Sequence, residues 1–403
     1  MNITGLITEY NPFHLGHKYH LENSINDSKS TGTIAIMSGN FIQRGFPALI
    51  DKWNRAEIAV KNGVDLVIEL PLIYATSSAE NFSSGAIKIL NSLGIVNNIY
   101  FGSENGNIHD LKLIAEALVN EDNNFKNILK EELDRGLPFH KAREIALHNS
   151  LPNLEEKNIL DNSNNILGIE YLKALLKLDS NITPMTIKRV GSNYNEESIS
   201  SSFPSATAIR KALSSNESLD SIKNSLPNAT YDTLNSLLEN NYKFIFNNDI
   251  FPYLKYKIIT QGHKLKNLHE VKEGLDNKII KEITTSNNLD ELIMKVKSKR
   301  YTYTRISRIL LSFFIGLENY KIKDLLNTTP SYIRPLAFNE NGRNILKEIK
   351  KAGNVDIINK VPKSIEDPIL ALDILGTKAY SILNPSISPY EDYTHQIKLI
   401  NNI

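Results

Sequence analysis

The stretch Ile3-Thr4-Gly5-Leu6-Ile7-Thr8-Glu9-Tyr10-Asn11-Pro12-Phe13-His14-Leu15-Gly16-His17 decides how this chain is read. The apolar run Ile3 to Ile7 has the character of a buried strand. It feeds a Pro-containing loop from which a helix emerges, so the helix starts at the carboxyl edge of a sheet, where open α/β sheets bind ligands. The free N–H groups and positive dipole end of such a helix favour phosphate. Gly16 leaves room for phosphate oxygens to approach the backbone. His14 and His17, three residues apart, can face one side and reach the same phosphate. The arrangement points to nucleotide chemistry.

Two plainer readings compete. Three of the nine histidines, His14, His17 and His20, fall within seven residues and suggest a metal site. A helical residue six positions on has rotated well away from the first, however, and the chain has no Cys to complete a zinc tetrahedron. No protein-held metal is expected. The other reading is a surface helix start with incidental histidines.

Working outward, residues 1 to about 215 alternate strands and helices. Thr33–Met37, Val64–Leu70, Asn98–Phe101 and Met185–Val190 read as further strands. Helical patterns lie around 52–62, 79–92, 108–119, 125–134 and 165–177. The alternation predicts an α/β fold with a Rossmann-like, doubly wound parallel sheet. From Asn216 to about Leu325 helical periodicity dominates. The stretch 340–403 adds a helix near 342–352, a Pro-rich loop and a short helix at 369–381. Two domains are therefore expected, 1–215 and a mainly α-helical 216–403.

Composition narrows the class. With 41% hydrophobic and 23% charged residues, the chain has the make-up of a soluble globular protein. No apolar run is long enough to span a bilayer, and no secretion signal is recognisable at the N-terminus. A cytoplasmic location is expected, with no membrane association and no obligate protein partner in evidence. The absence of cysteine excludes disulfides and a thioester on the protein. The net charge of +1 does not by itself indicate nucleic-acid binding.

Several segments carry candidate chemistry. The loop Ser38–Pro47 follows the second strand, with two glycines, a Pro and Arg44, where an ordinary connection is the competing reading. Gly102, after the fourth strand, lets the backbone lie against a ligand. Asn164 and Asn165 open a helix, where either could simply cap it. Lys188-Arg189 ends the fifth strand. In Ser205-Ala206-Thr207-Ala208-Ile209-Arg210, Ser205 is a natural N-cap, and Thr207 and Arg210 follow on the first turns, placed to bind pyrophosphate. Residues 295–308, KVKSKRYTYTRISR, hold six basic residues, no acidic one, and Tyr301 and Tyr303. Lys and Arg meet phosphates, while unstacked bases prefer aromatic or guanidinium planes. A solvated charged face is the usual alternative.

His-x-Gly-His after a first strand resembles the signature of the nucleotidyltransferase superfamily. EYNPFHLGH (9–17), MSGNFIQRGFPALIDKW (37–53), GVDLVIELP (63–71), FGSE (101–104), NNILGIEYLKAL (164–175), SATAIRKAL (205–213) and KRYTYTRISRILL (299–311) together resemble the bacterial tRNA(Met) cytidine acetate ligases. The resemblance implies an enzyme, a ligase, that forms acetyl-adenylate from acetate and ATP, with Mg²⁺ accompanying the pyrophosphate. It then acetylates N4 of the wobble cytidine in the anticodon of elongator tRNA(Met), giving N4-acetylcytidine. It implies His14, His17 and Arg210 as catalytic. ATP would be held by Ile7, Thr8, Glu9, Tyr10, Asn11, Pro12, Phe13, His14, Gly16, His17, His20, Gly102, Asn164, Asn165, Arg189, Ser205 and Thr207. Arg44 and Lys52 become candidates for phosphate or the acetate carboxylate, and Lys299, Arg300, Tyr301, Tyr303, Arg305 and Arg308 for tRNA. Where the superfamily commonly has Ser-Ser-Thr, Ala206 replaces one Ser, while a serine run lies at Ser200–Ser202. The alternative enzyme is a small-molecule nucleotidyltransferase or acetate ligase, similar to citrate lyase ligases or adenylyltransferases. The alternative from another class is a silent nucleotide-dependent RNA-binding protein.

Overall fold

The computed structural model describes residues 1–137, 139–151, 159–189, 205–215 and 217–401. The serine run at 200–202 and the end of the fifth expected strand, Val190, lie outside them. Five parallel strands carry the N-terminal half: β1 (Ile3–Thr8), β2 (Gly32–Ser38), β3 (Leu66–Leu70), β4 (Asn98–Ser103) and β5 (Thr183–Lys188). All seven residues of β2 and all five of β3 are buried. That is the pattern of strands covered on both faces by helices, and it explains their near-continuous apolar sequences.

The mainly helical second half also adds two short strands to the sheet. Pro335–Phe338 forms β6, which pairs antiparallel with β3, and Lys398–Leu399 forms β7 beside β6. The sheet order is β7-β6-β3-β2-β1-β4-β5. The helical half therefore returns to the sheet and finishes its edge. Pro335 opens β6, a position where a missing N–H is tolerated.

The helices that matter to the site are α1 (Leu15–Ser28), α2 (Lys52–Lys61), α3 (Ala79–Ser92), α4 (Ser163–Lys177), α5 (Ala206–Ser214), α6 (Leu289–Val296), α7 (Tyr303–Ile315) and α8 (Pro368–Leu383). Asp51 caps α2 and Ser205 caps α5 through side-chain oxygens. The segment 295–308 is not one helix. It ends α6, runs through an extended turn and starts α7. Along α7, Ile306, Ile309, Leu310 and Phe313 are buried, as their spacing predicts.

From β1 the chain winds to β2 and β3 on one side, then crosses to β4 and β5 on the other. The switch falls between β1 and β4. Ligands in doubly wound sheets bind outside the carboxyl ends of the strands at such a point.

Candidate active site

A cavity of about 220 Å³ opens there, lined from the ends of β1, β4 and β5, from α1, α4 and α5, and from the loop after β2. His14 is not on the helix, as its spacing suggested. It is the N-cap residue of α1, in extended backbone, and its Nδ1 accepts a hydrogen bond from the N–H of Gly16 at 3.0 Å. His17 Nδ1 in turn accepts from the N–H of His14 at 3.3 Å. A ring nitrogen that accepts from an amide carries no proton, so in both neutral imidazoles the proton sits on Nε2. The two rings lie 3.8 Å apart, centroid to centroid, and Tyr10 meets His17 edge-on at 5.1 Å. Burial, reinforced by Arg189 and Arg210, pulls His14 down to about 3; burial and Arg189 pull His20 down to about 4. Burial and the His14 ring lower His17 as well. At neutral pH all three are uncharged, and the guanidinium groups supply the positive charge.

Arg210 connects the two sequence motifs. Its Nη1 donates to the carbonyl of Asn11 at 2.6 Å and its Nη2 to the hydroxyl of Thr207 at 3.2 Å. Ser205, also lining the cavity, accepts from the N–H of Ala208. Gly102 faces Arg189 closely, since a Cβ there would lie 3.2 Å from its Cγ. Ile7, Thr8, Glu9, Asn11, Gly16, Arg44 and Asn164 line the same cavity.

Four expected ligands stand elsewhere. Pro12 and Phe13 are buried below the loop, with Phe13 packed on Tyr10 at 4.6 Å. Asn165 is fully buried, accepting from the N–H of Asn105 and donating to the carbonyl of Ile159. Neither Asn164 nor Asn165 caps α4. Instead the carboxylate of Glu104 accepts from the N–H groups of both, an anion at a helix N-terminus. Lys52 is fully buried, 2.8 Å from Glu69 and 2.8 Å from Asp392, and is withdrawn from any ligand. Arg334 completes that cluster, 2.7 Å from Asp392 and 3.2 Å from Glu69. Next to it, burial and Glu69 push Asp373 up to about 7.

The basic, aromatic segment divides in the same way. Lys299 and Arg300 are exposed, and Arg300 pairs with Glu273. Tyr301 is buried, with its hydroxyl donating to the carbonyl of Lys272, and Arg305 lies over its ring. Tyr303 donates to Asp290 and Arg308 is buried. Tyr301, Tyr303 and Arg305 are engaged by the protein itself, and Arg308 is buried within it. The start of α7 buttresses the cavity wall: Ser307 donates to the carbonyl of Arg44, and Gly45, at φ +83°, leaves no space for a Cβ against the backbone of Arg308.

Sequence reasoning missed Arg55. Its buried guanidinium donates to the carbonyls of Glu9, Ser38, Gly39 and Ile50, tying the carboxyl ends of β1 and β2 to the approach to α2. No local pattern marks it, because its partners are carbonyls from separate strands. Gln43, Phe82, Phe101, Leu167 and Tyr171 also line the cavity. Their only signal was proximity to segments already singled out.

A strand-loop-helix bearing paired neutral imidazoles, set at the switch point of a doubly wound sheet, defines a nucleotidyltransferase, and a family model described as HIGH Nucleotidyl Transferase matches residues 1–394. The tRNA(Met) cytidine acetate ligase of Clostridium novyi (strain NT) is 51% identical over 394 residues, 98% of each chain. That of Clostridium acetobutylicum is 47% identical over 407 residues, 99% of this chain and 100% of the other. The crystal structure of apo Thermotoga maritima TmcAL superposes with a TM-score of 0.92 at 34% identity, and the form bound with alpha-thio ATP with 0.90 at 33%, each over 100% of both chains. The chain belongs to the tRNA(Met) cytidine acetate ligase family. Among the described residues no helix is long and apolar enough to cross a membrane.

Proposed function

We propose that this chain joins acetate to AMP and passes the acetyl group to N4 of the wobble cytidine of elongator tRNA(Met). In the first step a carboxylate oxygen of acetate attacks the α-phosphorus of ATP, the bond to the bridging oxygen breaks, and pyrophosphate leaves. No proton need move. The demand is for fixed donors where phosphate charge builds, and such preorganised dipoles are the largest contributors in reactions of this kind. The Nε2–H groups of His14 and His17, the N-terminus of α1, Arg189 and Arg210 supply them. Keeping the imidazoles neutral suits them to donate without holding the product as tightly as a third full charge would.

The observation that carries this reading is the pair of backbone N–H bonds to Nδ1 of His14 and His17, two residues that line the cavity, which fixes both protons on Nε2. Among the described residues there is no group of three or more His, Asp or Glu that could hold a metal ion. Mg²⁺ would enter as a partner of the triphosphate, coordinated chiefly by phosphate oxygens and water. Acetyl transfer requires the cytidine to leave the anticodon stack. The buttress of α7 against Arg44 and Gly45 supports an RNA path across exposed Lys297, Lys299 and Arg300 toward the cavity. Acetate-dependent exchange of pyrophosphate into ATP tests the first step. Exchange without acetate, or none with it, contradicts the reading.

A further inference from the structure

Glu9 is the one carboxylate among the described residues that line the cavity, whose other charged groups are Arg44, Lys188, Arg189 and Arg210. A site so cationic suits a triphosphate. An anion inside it repels the phosphates, so a carboxylate kept there needs another partner. Its backbone carbonyl is held by Arg55 at 2.7 Å, and its Oε1 accepts from the N–H of Gln43 at 2.8 Å. Oε2 accepts no hydrogen bond from any described residue, and it is not sealed from the cavity. Arg210, Arg44 and Arg55 all face this carboxylate, yet burial outweighs them and raises its pKa. Gly102 lies near the end of β4 and Arg189 just after β5, whereas Glu9 lies just after β1, where the N–H of Gln43 from the loop after β2 meets its carboxylate.

Resting on the acetyl-transfer reading above, we infer that Glu9 is the base of the second step, its Oε2 receiving the proton of the cytidine N4 amine. A carboxylate is the side chain that reads this amine, because it accepts from the N4–H of cytosine. The N4 lone pair forms a bond to the carbonyl carbon of the acetyl group. The bond from that carbon to the phosphate oxygen breaks, and AMP leaves with the electron pair. One N4 proton passes to Oε2, and the neutral Glu9 releases it to solvent before the next turnover. The amine becomes acidic only as the new bond forms. A carboxylate lifted above its ordinary range is then a better acceptor than a solvated one, and general bases typically contribute about 10²–10⁴-fold.

The test bypasses the first step. Synthetic acetyl-adenylate and a tRNA transcript are given to the enzyme without ATP or acetate, and N4-acetylcytidine is followed by mass spectrometry in single turnover. Glu9→Gln keeps an acceptor for Gln43 and the shape of the side chain while removing the base. Its transfer should fall by about 10²-fold or more, and Glu9→Asp should recover part of it. The wild-type rate should rise with pH until Glu9 is ionised, and Glu9→Gln should lack that limb. Arg44, Arg55 and Arg210 remain charged throughout, and His14, at about 3, titrates below the range. Wild-type rates and an unchanged pH profile in Glu9→Gln overturn the assignment while leaving acetyl transfer intact. A wild-type enzyme that leaves the tRNA unmodified contradicts acetyl transfer itself, and the assignment with it.

Discussion

Lys52 reaches Asp392, 340 residues further along the chain, at 2.8 Å, and holds Glu69 at the same distance. With Arg334 these groups form a buried set of alternating charge that fastens the C-terminal segment to the sheet. Replacing Lys52 by Met should leave Glu69 and Asp392 short of a counter-charge. Removal of one partner from a buried pair typically costs about 3–5 kcal/mol. A urea denaturation midpoint equal to that of the unaltered protein would contradict this role.

Histidine burial makes stability depend on pH. His20 titrates at about 4 in the folded protein and at its ordinary value of 6.5 when unfolded. Between those values the unfolded chain binds more protons, so this residue makes stability fall on acidification through that window. Asp373, raised to about 7, acts in the opposite sense from 3.8 upward, so the comparison must be between variants. The stability of His20→Gln relative to wild type should rise as pH falls from 6.5 to 4, by at most about 1.4 kcal/mol per pH unit. Parallel stability curves for the two proteins would refute it.

The imidazole pair should matter to adenylate formation. His17→Ala removes one Nε2–H donor, a loss that typically costs about 10²–10³ in rate. Acetate-dependent pyrophosphate exchange is the readout, with a folded variant confirmed by circular dichroism. Exchange at the wild-type rate would remove His17 from the chemistry.

RNA binding should depend on the exposed part of the basic segment. Changing Lys297, Lys299 and Arg300 to Ala should weaken tRNA binding. The slope of log affinity against log salt should also fall, by about 0.7–0.9 for each phosphate that is no longer neutralised. Tyr301 to Ala should act differently, destabilising the fold, because its ring is buried under Arg305. An unchanged slope in the triple variant would place the RNA elsewhere, for example near exposed Arg343 and the lysines at 347, 350 and 351.

What the sequence disclosed followed from how far each signal reaches. The buried parallel strands announced themselves because both faces are covered, which leaves runs such as Thr33–Met37 almost wholly apolar. The histidine pair was legible because its geometry is set within four residues. The neutral state of those rings was not, since it depends on burial and on Arg189 and Arg210. β6 and β7 escaped notice because four and two residues carry no periodicity, and the pairing of β6 with β3 is long-range. Lys52 was misplaced among ligands because Asp392, which claims it, is far away in sequence. Arg55 and Glu104 bond mainly to backbone groups, and backbone partners leave no trace in side-chain patterns.

Acetyl transfer is tested most directly by incubating the purified protein with ATP, isotopically labelled acetate and tRNA(Met), then digesting the tRNA and weighing its nucleosides. Labelled N4-acetylcytidine should appear at the wobble position, and only when ATP and acetate are both present. No labelled nucleoside under those conditions, or efficient transfer from acetyl-CoA without ATP, would contradict it.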